Sequence, residues 1–169
     1  MKLIAAVDKN WNLGHEGELL FRIPADLKRF QALTTGNVVV MGRKTLSTLP
    51  GGKPLANREN IVLTRDAGLC VPGAVLVDGI PALSAALWDP RFLGKEAYLI
   101  GGAQVYALLL PYCKEALITH IDAVKAADCA LTNLVAHEGW ELVEQSEPQH
   151  HEDLEFYYAT YRNRHPKAL

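Results

Sequence analysis

Asp26 lies in the segment Ile23-Pro24-Ala25-Asp26-Leu27. At about 100° per residue, a helix opened by Pro24 sets its carboxylate between Phe30 and Leu33, with Ile23 and Leu27 flanking. Lys28 and Arg29 are expected to point elsewhere. A carboxylate in an apolar stripe needs a polar partner, and burial favours its protonated form. Two readings are open. Asp26 complements the positive end of its own helix behind Pro24, or it meets a partner from outside the helix.

Three arginines extend the chemistry. Arg43 follows the run Val38 to Met41 and Gly42, and Arg65 follows Ile61 to Leu63 and Thr64. If both runs are parallel strands, both guanidinium groups emerge at one carboxyl edge, where open α/β sheets bind ligands. Such a pair suits a phosphate monoester on a ribose and favours NADPH over NADH, whose free ribose hydroxyl usually meets an acid. Solvated surface side chains are the plainer alternative. Arg58 follows the loop Gly51 to Asn57; its rigid fork takes a carboxylate better than Lys53 would, although a loop-stabilising contact also accounts for it.

Gly42 and Gly101-Gly102 each stand directly after a strand-like run. Glycine there permits close backbone approach and suits a pyrophosphate above the sheet edge, and tight-turn packing explains either one equally. No G-x-G-x-x-G follows a strand and no G-x-x-x-x-G-K-[ST] occurs, which excludes the standard Rossmann and P-loop signatures.

The elements that position these residues follow an α/β pattern. Short apolar runs at 3–7, 38–41, 61–63, 74–77 and 97–100 read as buried parallel strands. Helices are expected from Pro24 to Thr34, briefly after Arg43, from Ile80 to Trp88 and from Ala103 to Leu110. Three strand-like segments close the chain, at 116–121, 141–147 and 156–161, and the last two form an antiparallel edge hairpin. Phe156, Tyr158 and Thr160 share one face, opposite Tyr157, Ala159 and Tyr161. Asp8 to Phe21 and Leu49 to Asn60 read as long irregular loops of the kind that carry function.

With 169 residues, 49% apolar and 21% charged, residues 1–169 fit one compact domain. The net charge of -2 is spread along the chain, so no basic field advertises nucleic acid or an anionic membrane. The apolar run after Met1-Lys2 is too short for a signal peptide or a membrane span, which points to the cytoplasm. Cys70, Cys113 and Cys129 lack any C-x-x-C pair, and neighbouring His150 and His151 point to opposite strand faces, so no metal site is expected.

Five blocks, in order, carry a resemblance: Ile23-Pro24-Ala25-Asp26-Leu27; Val40 to Thr45; Asn57 to Leu63; Ile100-Gly101-Gly102 with Val105-Tyr106; and Leu117 to Asp122. Together they closely resemble bacterial dihydrofolate reductase, over nearly the whole chain. The resemblance implies an eight-stranded, mostly parallel sheet with an antiparallel C-terminal hairpin and about four flanking helices. It implies NADPH as cofactor, and dihydrofolate and antifolate-type small molecules as ligands. Hydride passes to pterin C6 while N5 gains a proton, feeding one-carbon metabolism.

By that resemblance Asp26 holds pterin N3 and the 2-amino group, Thr119 positions the carboxylate, and Phe21 and Leu19 belong to the catalytic surroundings. Ile4, Ala5, Leu27, Phe30, Leu49, Leu55 and Ile100 line the pterin and benzoyl pocket, and Arg58 holds the glutamate-tail carboxylate. Ala6, Leu13, Gly101, Gly102, Ala103, Gln104 and Val105 contact the nicotinamide half or the pyrophosphate. Gly42, Arg43, Lys44, Thr45, Thr64 and Arg65 contact the phosphates. Asn12 to Leu20 form the closing loop, supported by Asp128. The chain departs from the family at Leu20-Phe21, where a Pro-Trp pair is usual; Phe21 has no indole N–H to donate. Rival readings are a reductase of the same architecture for a riboflavin-pathway pyrimidine or another pterin, and a non-catalytic NADPH-binding protein. A monomer is expected.

Overall fold

The computed structural model describes residues 1–169. In chain order its first half contains β1 (Lys2–Val7), β2 (Asn12–His15), β3 (Glu18–Leu19), α1 (Pro24–Thr34), β4 (Val38–Gly42), α2 (Arg43–Thr48), β5 (Glu59–Leu63) and β6 (Ala74–Val77). The second half contains α3 (Ile80–Leu87), β7 (Ala97–Gly101), α4 (Ala103–Leu109), β8 (Glu115–Ile121), β9 (Cys129–Ala130), β10 (Trp140–Gln145), β11 (Gln149–His151) and β12 (Leu154–Asn163). No helix is long and apolar enough to cross a membrane.

The main sheet runs β10-β12-β8-β1-β7-β4-β5-β6, with β11 against β12. From β8 to β6 all neighbours are parallel, and β12 turns the sheet antiparallel by pairing with both β8 and β10. Central β4 reads Val-Val-Val-Met-Gly and is buried throughout, as a parallel strand covered on both faces must be. On β1 the faces differ. Leu3, Ala5 and Val7 enter the main core, whereas Ile4 and Ala6 are half-buried on the other side. Register places Ala6, Thr119 and Tyr158 side by side across β1, β8 and β12.

The predicted helices form with small differences: α3 stops at Leu87, and α4 stops at Leu109 before a 3₁₀ turn through Pro111. The alternation expected for β12 also holds, with Phe156 against Tyr158 on one face and Tyr157 and Tyr161 against His120 on the other. The Asp8 to Phe21 segment is not irregular. It contains the hairpin β2-β3, turned by Glu16 and Gly17 at φ 50° and 81°, and β2 also pairs with β9. Short polar strands of this kind lack the β-branched runs that signal a sheet. Gly14 is required there, because a Cβ would stand 2.5 Å from the Glu18 carbonyl oxygen.

Candidate active site

Asp26 occupies the first turn of α1, behind Pro24, and is half-buried. The Thr119 hydroxyl, from a residue only 2% exposed, donates to Asp26 Oδ1 at 2.5 Å. Both readings of this acid therefore hold at once: it sits at the positive end of its helix and reaches a partner on the sheet. Burial pushes its pKa above the usual carboxylate range, and Thr119 and then the Arg29 charge pull it back. Arg29 does not point away as expected. Its guanidinium lies 4.1 Å from the centroid of the Tyr158 ring, because a residue three positions on returns to the same side of a helix.

The apolar stripe of α1 is left open. Thr34 alone in this helix is fully buried, Leu27 is 43% exposed, and Phe30 and Leu33 are half-buried outside all three core clusters. Ile4, Ala6, Leu49, Leu55 and Ile100 are also half-buried, the last three packed on the cluster of Val39, Met41, Leu46 and Val62. The result is a cleft with apolar walls and a single carboxylate, suited to a flat ring with paired N–H donors at one end. Ala5 is 7% exposed in the main core, on the opposite face of β1 from Ile4 and Ala6.

One end of the cleft is closed by the hairpin. Leu13, Leu19, Leu20 and Phe21 enclose a narrow cavity with Ala6 and Ile121. The hairpin is fastened to the segment after β8: the Glu16 N–H donates to Asp128 Oδ2 at 2.8 Å, and the Asp128 N–H to the Gly14 carbonyl at 3.1 Å. The Glu16 N–H holds the Asp128 carboxyl below the usual range. Lys125 Nζ donates to the Leu20 carbonyl at 2.8 Å and lies 4.4 Å from the centroid of the Phe21 ring. Asp8, 1% exposed, anchors the base of the loop by accepting from the Asn10 and Asn12 N–H groups, both at 2.9 Å.

At the carboxyl edge, β4 and β5 are parallel with Gly42 beside Leu63, so Arg43 and Arg65 leave neighbouring strand ends, both exposed. Lys44 and Gln104 are exposed; Thr45, Thr64, Gly102, Ala103 and Val105 are half-buried; Gly101 is buried. Gly42 is needed for packing, since a Cβ would lie 2.8 Å from Val105 Cγ2. A Cβ at Gly101 or Gly102 would lie 3.3 Å from Thr45 Oγ1, so these glycines keep open a cradle between the ends of β4 and β7. Arg58 does make the loop contact foreseen, donating to the Ala56 carbonyl at 2.9 Å and to Thr34 Oγ1 at 3.2 Å, which fixes its guanidinium beside the end of α1.

Sequence reasoning gave no site role to Tyr106, Arg29, Tyr158 or Lys125. The buried Tyr106 hydroxyl donates to the Ile4 carbonyl at 2.6 Å, tying α4 to β1, and burial pushes its pKa up. Its position in the first turn behind Gly101-Gly102 was the available signal. Lys125 offers none, because its partners are a carbonyl and a ring more than a hundred residues earlier.

The family model described as dihydrofolate reductase matches residues 1–163. The chain belongs to the dihydrofolate reductase family. Among curated members, dihydrofolate reductase type A13 of Escherichia coli is 37% identical over 136 residues, 80% of this chain and 79% of that one. Dihydrofolate reductase type 3 of Salmonella typhimurium is 35% identical over 146 residues, 86% of each chain. The solved dihydrofolate reductase from Enterococcus faecalis, complexed with NADP(H) and RAB-propyl, superposes with a TM-score of 0.82 at 28% identity, covering 96% of this chain and 95% of that one. The family fold, a mostly parallel eight-strand path with an antiparallel C-terminal part and four helices, is the one observed.

Proposed function

We propose that this chain catalyses the NADPH-dependent reduction of 7,8-dihydrofolate to 5,6,7,8-tetrahydrofolate. The observation that carries the reading is the Asp26–Thr119 pair, a lone carboxylate set in an otherwise apolar cleft. NADPH, when bound, supplies the hydride for pterin C6. Asp26 accepts hydrogen bonds from pterin N3 and the 2-amino group, which orients the ring and polarises it toward protonation. Thr119 holds the carboxylate in place. Asp26 grips the ring across from N5, so the proton reaches N5 through water, and the acid matters most at high pH, where solvent protons are scarce.

The remaining residues bind and enclose. Ile4, Leu27, Phe30, Leu49, Leu55 and Ile100 supply apolar walls for the pterin and benzoyl groups, with Ala5 behind them. Arg58 takes the α-carboxylate of the glutamate tail. The cradle at Gly42, Gly101 and Gly102 admits backbone-close contact with a pyrophosphate, beside Ala103, Gln104 and Val105. Arg43, Lys44, Thr45, Thr64 and Arg65 gather enough positive charge and hydroxyl donors for the adenosine 2'-phosphate. Ala6 and Leu13 bound the nicotinamide half, and Leu19, Leu20 and Phe21 exclude water from the hydride path. The chain works as one domain and as a monomer.

The test is to mix purified protein with NADPH and dihydrofolate and follow loss of reduced-nicotinamide absorbance, with NADH in parallel. Rapid oxidation that depends on dihydrofolate and prefers NADPH is expected. NADPH binding without dihydrofolate-dependent oxidation would establish the non-catalytic alternative instead.

A further inference from the structure

The chemistry above makes no use of Arg29, yet this residue completes a closed constellation around Asp26. It stands three positions along α1 from the acid. Its guanidinium is stacked on Tyr158, 4.1 Å from the ring centroid, and Tyr158 is the cross-strand partner of Thr119. Thr119 closes the circuit by donating to Asp26. A planar guanidinium on an aromatic face is held at a defined place, whereas a free arginine on a helix surface samples many.

The groups around the acid are few. From β8 comes the Thr119 hydroxyl, from β12 the Tyr158 phenol, and from α1 the Arg29 cation, whereas β1 presents apolar Ala6 beside Thr119. Phe21 packs on the same small cluster as Ala6 and Tyr158, and Lys28 is exposed. The Arg29 charge acts on both Asp26 and Tyr158, and Asp26 acts on Tyr158.

We propose that Arg29 is a positioning residue whose charge, fixed by its stack on Tyr158, biases the proton equilibrium of the Asp26–substrate pair toward the ionised carboxylate. The inference rests on Asp26 being the acid that grips the pterin. Its physical basis is simple: a neighbouring cation disfavours proton uptake wherever the shared proton resides.

The experiment records hydride transfer against pH for the parent, Arg29→Met, Arg29→Gln and Arg29→Lys, with Asp26→Asn as reference. In parallel, carbon-13 NMR follows the Asp26 carboxyl through its titration in the ligand-free protein. Loss of the charge moves the alkaline fall in rate and the Asp26 titration to higher pH together, leaving roughly threefold more hydride transfer on the falling limb. Arg29→Lys stays near the parent. If Met and Gln variants leave both midpoints in place, Arg29 has no such role. If Asp26→Asn keeps the parental rate and profile, the reading of Asp26 itself fails, whatever Arg29 does.

Discussion

Replacing Thr119 by valine keeps the branched shape of a side chain that is only 2% exposed and removes one hydroxyl. The bond lost is the 2.5 Å donation to Asp26 Oδ1. Hydrogen bonds to charged groups contribute roughly 1.5–3 kcal/mol, and because Asp26 is half-buried, water recovers part of this, so the expected loss at neutral pH is about 1–2 kcal/mol. Once the carboxyl is protonated, the bond joins neutral groups and its removal costs about 1 kcal/mol or less. Burial holds the proton affinity of Asp26 in the folded chain above that in the unfolded chain. Stability from this group is therefore greatest at low pH and declines as pH rises from the ordinary carboxylate range through the raised folded value. Thr119 opposes that decline. Without it the folded acid holds its proton more tightly still, so the deficit of the variant widens with pH and levels off when both carboxyls are ionised. Urea unfolding at about pH 4 and about pH 7.5 measures both deficits with one slope. At the higher pH the melting temperature should fall by roughly 2–8 °C. Equal deficits at the two pH values, or none at either, would show that the Thr119 hydroxyl does not stabilise the ionised Asp26 carboxylate.

Other expectations follow from the same geometry. Arg58→Gln should raise KM for dihydrofolate about tenfold or more while leaving a dihydropterin without a glutamate tail unaffected, which steady-state kinetics on the two substrates will show. Arg65→Gln should raise KM for NADPH by roughly tenfold and leave NADH unchanged, since only the former carries the 2'-phosphate. Phe21→Trp should alter turnover without abolishing it, because it restores an indole N–H and offers Lys125 a better ring; a folded but inactive variant would show that Phe21 is misassigned.

Much of the scaffold was legible because its signals are local. The apolar runs of β4 and β6, Pro24 at the head of α1 and Pro111 after α4 are each read within a few residues. Asp26 stood out for the same reason, as a charge inside an apolar period. The partners that give it meaning are remote: Thr119 is 93 residues away, and Tyr158 arrives only through the β8-β12 register. The hairpin β2-β3 escaped because its strands are short and polar and its turn is Glu-Gly rather than Asn-Gly. Arg29 was misjudged although three positions along a helix sets it only about 60° from Asp26. Its reach and the ring beneath it decide where the charge sits.

Whether Asp26 serves the reduction by gripping the ring is decided by single-turnover hydride transfer measured across pH for the parent and Asp26→Asn. A slower variant is expected, its deficit growing as pH rises, in a protein that still binds NADPH. A variant with the parental rate at every pH would contradict that role.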